Sequence, residues 1–87
     1  MKLVPGSRIT FQNIGRVAFV KNHIVVRDAR SEKERMIVPY TTEALVIAVE
    51  VFNQDNPMHT TWVTAFAEGH GFFRIESTQV RVLWSPE

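Results

Sequence analysis

The chain contains 87 residues, of which 45% are hydrophobic and 22% are charged, close to the average folded domain and unlike a disordered chain. Cysteine is absent, which excludes disulfides, thiolate metal ligands and cysteine nucleophiles. This length provides one modest hydrophobic core, so we expect a single α+β domain over residues 1–87. Because the sequence has no run of 18 apolar residues and no signal peptide, we expect a cytoplasmic protein without membrane contact.

The net charge of +1 conceals an asymmetry along the chain. Residues 1–40 carry eight basic and three acidic side chains, whereas residues 41–87 carry two basic and six acidic ones. If the two halves also separate in space, a basic face could attract an anionic partner or the acidic face of a second copy. If the halves interleave in one sheet, the asymmetry cancels.

The first predicted elements are strands. Residues 8–13 alternate between apolar and polar, as in a half-buried strand. Residues 16–20 and 23–28 predict a hairpin with its turn at residues 21 and 22. The favoured register keeps apolar pairs on one face. It pairs Phe19 with Ile24 and Val17 with Val26 on that face, and Arg16 with Arg27 and Ala18 with Val25 on the other.

A charged segment follows the hairpin. Residues 27–35 hold seven charges in nine positions with a net of +1, which is typical of a solvated loop. Residues 36–38 then predict a short strand that ends at Pro39.

The next segment is ambiguous. Residues 44–52 are rich in Val and Ile, as in a strand, but residues 41–43 offer a helix cap and residues 53–57 a stop signal. Helical spacing separates a polar stripe from an apolar one: Glu43, Glu50 and Gln54 against Leu45, Ala48, Val49 and Phe52. We therefore predict a helix from about Thr42 to Asn53.

The remaining sequence predicts three more strands, at residues 60–67, 72–76 and 79–84, with a turn at residues 77 and 78 between the last two. This hairpin pairs Phe73 with Val82 and Ile75 with Val80 towards the core, and Phe72 with Leu83, Arg74 with Arg81 and Glu76 with Gln79 outwards. The expected fold is a bent antiparallel sheet of about six strands with one helix packed on its concave face.

The sequence gives little support for catalysis. His23, His59 and His70 are isolated and lack metal-ligand spacing, so we expect neither a metal nor another cofactor. No serine lies in a nucleophile motif, and no glycine motif for phosphate binding is present. Glu68 and His70 could form an acid/base pair beside a small-ligand pocket, although Glu-Gly-His-Gly equally describes a polar hairpin loop. We predict a protein that is not an enzyme.

The last two strands suggest a protein interface. In the predicted register, exposed apolar side chains are surrounded by arginines, a composition that is enriched at interface cores. The candidate interface residues are Trp62, Phe72, Arg74, Arg81 and Leu83. We therefore predict a small assembly module that binds a second copy of itself or an acidic protein.

Nucleic-acid binding is the alternative function. Arginine beside an exposed aromatic ring binds phosphate and stacks on unpaired bases. The candidate residues for this function are Arg16, Arg27, Phe72, Arg74 and Arg81. A sequence pI of about 8.2 argues against it, because nucleic-acid-binding domains are usually more basic.

Overall fold

The computed structural model describes residues 2–12, 19–20, 23–31, 34–52, 55 and 60–87. These residues form one antiparallel sheet of eight strands and a single 3₁₀ turn. The strands are β1 (Arg8–Phe11), β2 (Phe19–Val20), β3 (His23–Asp28), β4 (Arg35–Pro39), β5 (Ala44–Phe52), β6 (Thr60–Ala67), β7 (Gly71–Glu76) and β8 (Val80–Trp84). Their order in the sheet is β2-β3-β7-β6-β5-β1-β8. Strand β4 is not on this path and pairs with β3.

The predicted helix is wrong, and so is the α+β fold class. The segment forms β5, which pairs with β6 over its whole length and with β1 at its start. Burial alternates from Ala44 to Ile47, as in a strand. A register shift after Val46 then moves Val49 opposite Val63, on the core side. A two-residue period broken by one extra residue resembles helical spacing over a short segment, which explains the error.

The predicted hairpin of β7 and β8 is also wrong. The connection is the 3₁₀ turn at Ser77–Gln79, and β8 pairs with β1. One edge of β7 pairs with β6, and on the other edge β3 pairs with Phe73 and Arg74, two of the residues that were predicted to pair with β8. The pairs of Arg74 with Arg81 and of Phe72 with Leu83 therefore do not form.

The register at the first hairpin is confirmed where it can be compared. Phe19 lies opposite Ile24, as predicted. The predicted partners Arg16, Val17 and Ala18 lie outside the described residues. The two halves of the chain interleave, because β3 lies beside β7 and β1 lies between β5 and β8.

The core lies on one side of the sheet. Its buried side chains come from seven strands: Ile9, Phe11, Ile24, Val26, Val38, Ala44, Val46, Val63, Ala65, Ala67, Phe73, Ile75 and Val80. The rings of Phe11 and Phe73 pack with their centroids 5.6 Å apart. Across the described ranges, no helix is long and apolar enough to cross a membrane.

Candidate functional site

The sheet side opposite the core, here called the outer face, carries the exposed chemistry of β3 to β7. Strand β6 shows how its residues are divided between the core and the outer face. Its odd-numbered residues from Val63 to Ala67 are buried, so the side chains of Trp62, Thr64 and Phe66 point to the outer face. Pairing with β7 adds Glu76 opposite Trp62. Alternation within each strand thus fixes which residues the outer face displays.

An arginine row crosses this face. Arg27 in β3 lies opposite Arg35 in β4 on one edge and opposite Arg74 in β7 on the other. Like charges directly opposite each other destabilise a sheet by about 0.2–1 kcal/mol per pair. Within the part of the chain that the structure describes, neither Arg27 nor Arg35 forms an ion pair. The row therefore concentrates positive charge at a cost in stability.

Trp62 brings two of these arginines together. The Cζ atoms of Arg27 and Arg74 lie 5.4 Å and 5.7 Å from the centroid of its ring. Each such cation–π contact contributes about 0.5–1 kcal/mol at an exposed site. This gain is close to the cost of the two like-charge pairs, so stability alone gives little reason for the arrangement. Its chemical consequence is two neighbouring guanidinium groups beside one indole.

An open pocket lies at this cluster. It has a volume of about 240 Å³ and is lined by Arg27, Phe52, Trp62 and Arg74. Among the described residues, none of the side chains that line it is acidic. The nearest acidic residues in the sheet are Glu50 and Glu76, which lie opposite Trp62 in β5 and β7. The pocket thus combines two aromatic rings with two cations, and a carboxylate lies in each of the two strands beside Trp62.

Exposed apolar side chains form a second row on the outer face. Leu45 lies opposite Phe66, which lies opposite Phe72. The rings of Phe66 and Phe72 have centroids 4.9 Å apart and are tilted by 51°. Their exposed fractions are 37% and 46%. This apolar row lies beside the arginine row, because Phe72 and Arg74 are two residues apart in β7.

The structure divides the residues predicted to form the site. Trp62, Phe72 and Arg74 come together, and Arg27 joins them from β3. Arg81 and Leu83 instead lie in β8, which β6, β5 and β1 separate from β7. There they line another depression, which also contains the acidic residue Glu43. Arg16 lies outside the described residues.

Several residues of the outer face were missed by the sequence prediction. They are Arg35, Leu45, Phe52 and Phe66. Phe66 could have been predicted, because residues four apart in a strand, such as Trp62 and Phe66, lie on the same face. Phe52 could not have been predicted as an outer-face residue, because it was assigned to the apolar stripe of a helix.

The predicted acid/base pair lies in the loop between β6 and β7. Glu68 and His70 are exposed, and the backbone N–H of His70 donates to the carbonyl of Ala67 at 3.0 Å. Gly69 and Gly71 have φ angles of 84° and 97°, which side-chain-bearing residues rarely adopt. The segment is therefore a glycine-dependent hairpin loop. Among the residues with described positions, no three acidic or histidine side chains are grouped to hold a metal ion.

In comparisons with known proteins, no family model, no curated protein and no solved structure matches this chain.

Proposed function

We propose that the protein is a non-enzymatic binding module whose outer face binds single-stranded nucleic acid. The observation that carries the proposal is the contact of two guanidinium groups, those of Arg27 and Arg74, with the indole of Trp62. Single-strand-binding proteins combine a positive track for the phosphates with aromatic side chains on which bases stack. The arginine row and the rings of Phe66 and Phe72 supply these two parts on one surface.

The shape of the surface favours unpaired strands over a duplex. Reading a duplex usually requires a helix or a two-stranded ribbon that enters the major groove. The outer face is a sheet surface, and the described residues contain no α-helix that could enter a groove. Exposed rings on a sheet can stack only on bases that are not already paired.

Self-association is a second candidate function. It is favoured by the row of Leu45, Phe66 and Phe72, which exposes three apolar side chains side by side. The predicted interface requires Phe72 to pair with Leu83, but Phe72 pairs with Phe66 and β8 pairs with β1. The interface that remains is the apolar row with Trp62 and Arg74 beside it.

The test of nucleic-acid binding is a salt titration with a labelled single-stranded oligonucleotide. Each phosphate contact contributes a slope of about −0.7 to the dependence of log affinity on log salt concentration. Arg27→Gln with Arg74→Gln removes two contacts, so the slope should become shallower by about 1.4. Affinity should fall about tenfold for each arginine, because hydrogen bonds to charged groups contribute about 1.5–3 kcal/mol.

The matched control is Arg81→Gln, since Arg81 is equally an exposed strand arginine but lies in β8. It should leave the slope and the affinity close to those of the native protein. Two results contradict the proposal: no binding at about 50 mM salt, or an equal loss in the control and the double variant.

A further inference from the structure

We infer that the pocket between Phe52 and Trp62 receives one unstacked base, and that Arg27 and Arg74 hold the phosphate attached to it. This inference rests on the proposed function and deepens it. A general single-strand surface needs only charge and rings, whereas this site defines one fixed nucleotide position. The ligand class is a nucleotide within a single strand.

The two aromatic residues come from neighbouring strands. Phe52 lies opposite Thr60, and Trp62 is two residues further along β6, so the two residues are diagonal neighbours on the outer face. Diagonal neighbours in a sheet are about 7–8 Å apart, which is within reach of aromatic side chains. Both rings can therefore contact a ligand held in the pocket that they line.

The described side chains of both rings border an open pocket. Phe52 and Trp62 both line the pocket, yet within the described chain they make no ring contact with each other. Phe52 is 42% exposed although it is a large apolar side chain at the end of a strand. The pocket volume of about 240 Å³ lies below the range of about 300–1,000 Å³ for drug-sized ligands. It therefore suits one base with its phosphate rather than a larger cofactor.

The positions of the charged side chains determine on which side of Trp62 the phosphate of the bound nucleotide lies. Arg74 lies in β7 and Arg27 in β3, so both cations stand on the β7 side of Trp62, whereas Phe52 stands on the β5 side. Glu50 lies opposite Trp62 in β5 and repels a phosphate on that side, whereas Glu76 lies in β7, two residues from Arg74. The phosphate is thus directed to the arginine pair, and the base to the gap between the rings.

The experiment uses the fluorescence of Trp62 in the full chain. The sequence contains two tryptophans, so Trp84→Phe leaves Trp62 as the sole indole. This protein is titrated with a single-stranded oligothymidylate and, separately, with an abasic deoxyribose-phosphate oligomer of the same length. Binding is followed by anisotropy of an end label, and stacking by quenching of the indole emission.

We expect the oligothymidylate to bind more tightly and to quench Trp62, and the abasic oligomer to bind without quenching. In the same background, Phe52→Ala should weaken binding of the oligothymidylate about tenfold, since loss of one base stack has about this effect. It should leave the affinity for the abasic oligomer unchanged. Val51→Ala is the matched control, because Val51 is similarly exposed on the same strand but on the other face.

The outcomes separate the two proposals. If neither oligomer binds, the proposed function and the base pocket both fail. If Trp62 is not quenched, or if Phe52→Ala weakens both alike, the strand-binding surface stands and the base pocket is wrong. If both oligomers bind equally, no base contributes to binding, so stacking on Phe66 and Phe72 is wrong as well. Thermal unfolding of each variant shows whether it is folded, and Phe52→Leu provides a second variant that keeps the apolar volume but removes the ring.

Discussion

Two regions of this sheet contain the same types of residue in different surroundings. The outer face at β7 has Arg74 beside Trp62 and Phe72, and the edge strand β8 has Arg81 near Leu83 and Trp84. In sequence the two segments look alike, and both expose aromatic or aliphatic side chains next to an arginine. Their cross-strand partners differ.

In β7, Arg74 lies opposite Arg27, and both guanidinium groups lie on one indole. In β8, Arg81 lies opposite Thr10 and shares its depression with the acidic Glu43. Both regions also hold carboxylates, since Glu50 and Glu76 lie opposite Trp62. The two regions therefore differ in the partner strand: it adds a second arginine and a shared indole in the first, and a threonine in the second.

The largest effect is expected for self-association. If the second candidate function holds, light scattering at about 100 μM shows more than one chain per particle, and Phe72→Glu shows a single chain. A charge placed at the centre of an apolar contact costs at least about 2 kcal/mol of binding, or about thirtyfold. The paired control Leu83→Glu, in β8, should associate like the native protein. If the native protein is monomeric at this concentration, self-association is wrong. If the native protein associates but Leu83→Glu is monomeric, the contact involves β8 instead of the apolar row.

The two tryptophans should differ in their contribution to stability. Trp62 is partly buried and makes two cation–π contacts of about 0.5–1 kcal/mol each, whereas Trp84 is 53% exposed at the end of an edge strand. We expect Trp62→Ala to lower the free energy of unfolding by about 1–2 kcal/mol, since the loss also leaves the arginine row without its aromatic contact. Trp84→Ala should change it by less than about 0.5 kcal/mol. Chemical denaturation measures both, and equal losses would remove the distinction between the two regions.

Local patterns predicted the parts of the fold that depend on neighbouring residues. The residue types of positions 60–67 identified β6, and a short polar loop identified the register of Phe19 with Ile24. In both cases the relevant partners are close in sequence or repeat every two residues. Such information is contained in the chain itself.

The errors arose where long-range pairing or a local irregularity decides the structure. The register shift in β5 interrupted the two-residue period and made a strand look helical. For β7, the sequence favoured the nearest strand as a partner, but β3 takes the edge that β8 would need. The contact of Arg27 with Trp62 depends on that choice of partner. The sequence therefore indicated Arg27, Trp62 and Arg74 without showing that they meet, and it did not indicate Phe52.

The smallest expected effect concerns the carboxylates beside the pocket. Glu76 lies opposite Trp62 and is two residues from Arg74 on the outer face, so its charge opposes a bound phosphate. Two unit charges about 8 Å apart in water interact by about 0.5 kcal/mol, or about twofold in affinity. We therefore expect Glu76→Gln to tighten oligonucleotide binding about twofold at low salt, and the gain to disappear as salt screens the interaction.

Glu68→Gln provides the control for this change, because Glu68 is an exposed acidic residue in the loop after β6 rather than beside the pocket. Both variants alter the net charge equally, so an equal gain in affinity would mean that the net charge of the protein, and not the position of Glu76, causes the effect. A gain restricted to Glu76→Gln places the phosphate near Trp62. Weaker binding by Glu76→Gln would instead mean that this carboxylate supports the bound strand, for example by accepting a hydrogen bond from a base, and the direction assigned to the nucleotide would have to be reversed.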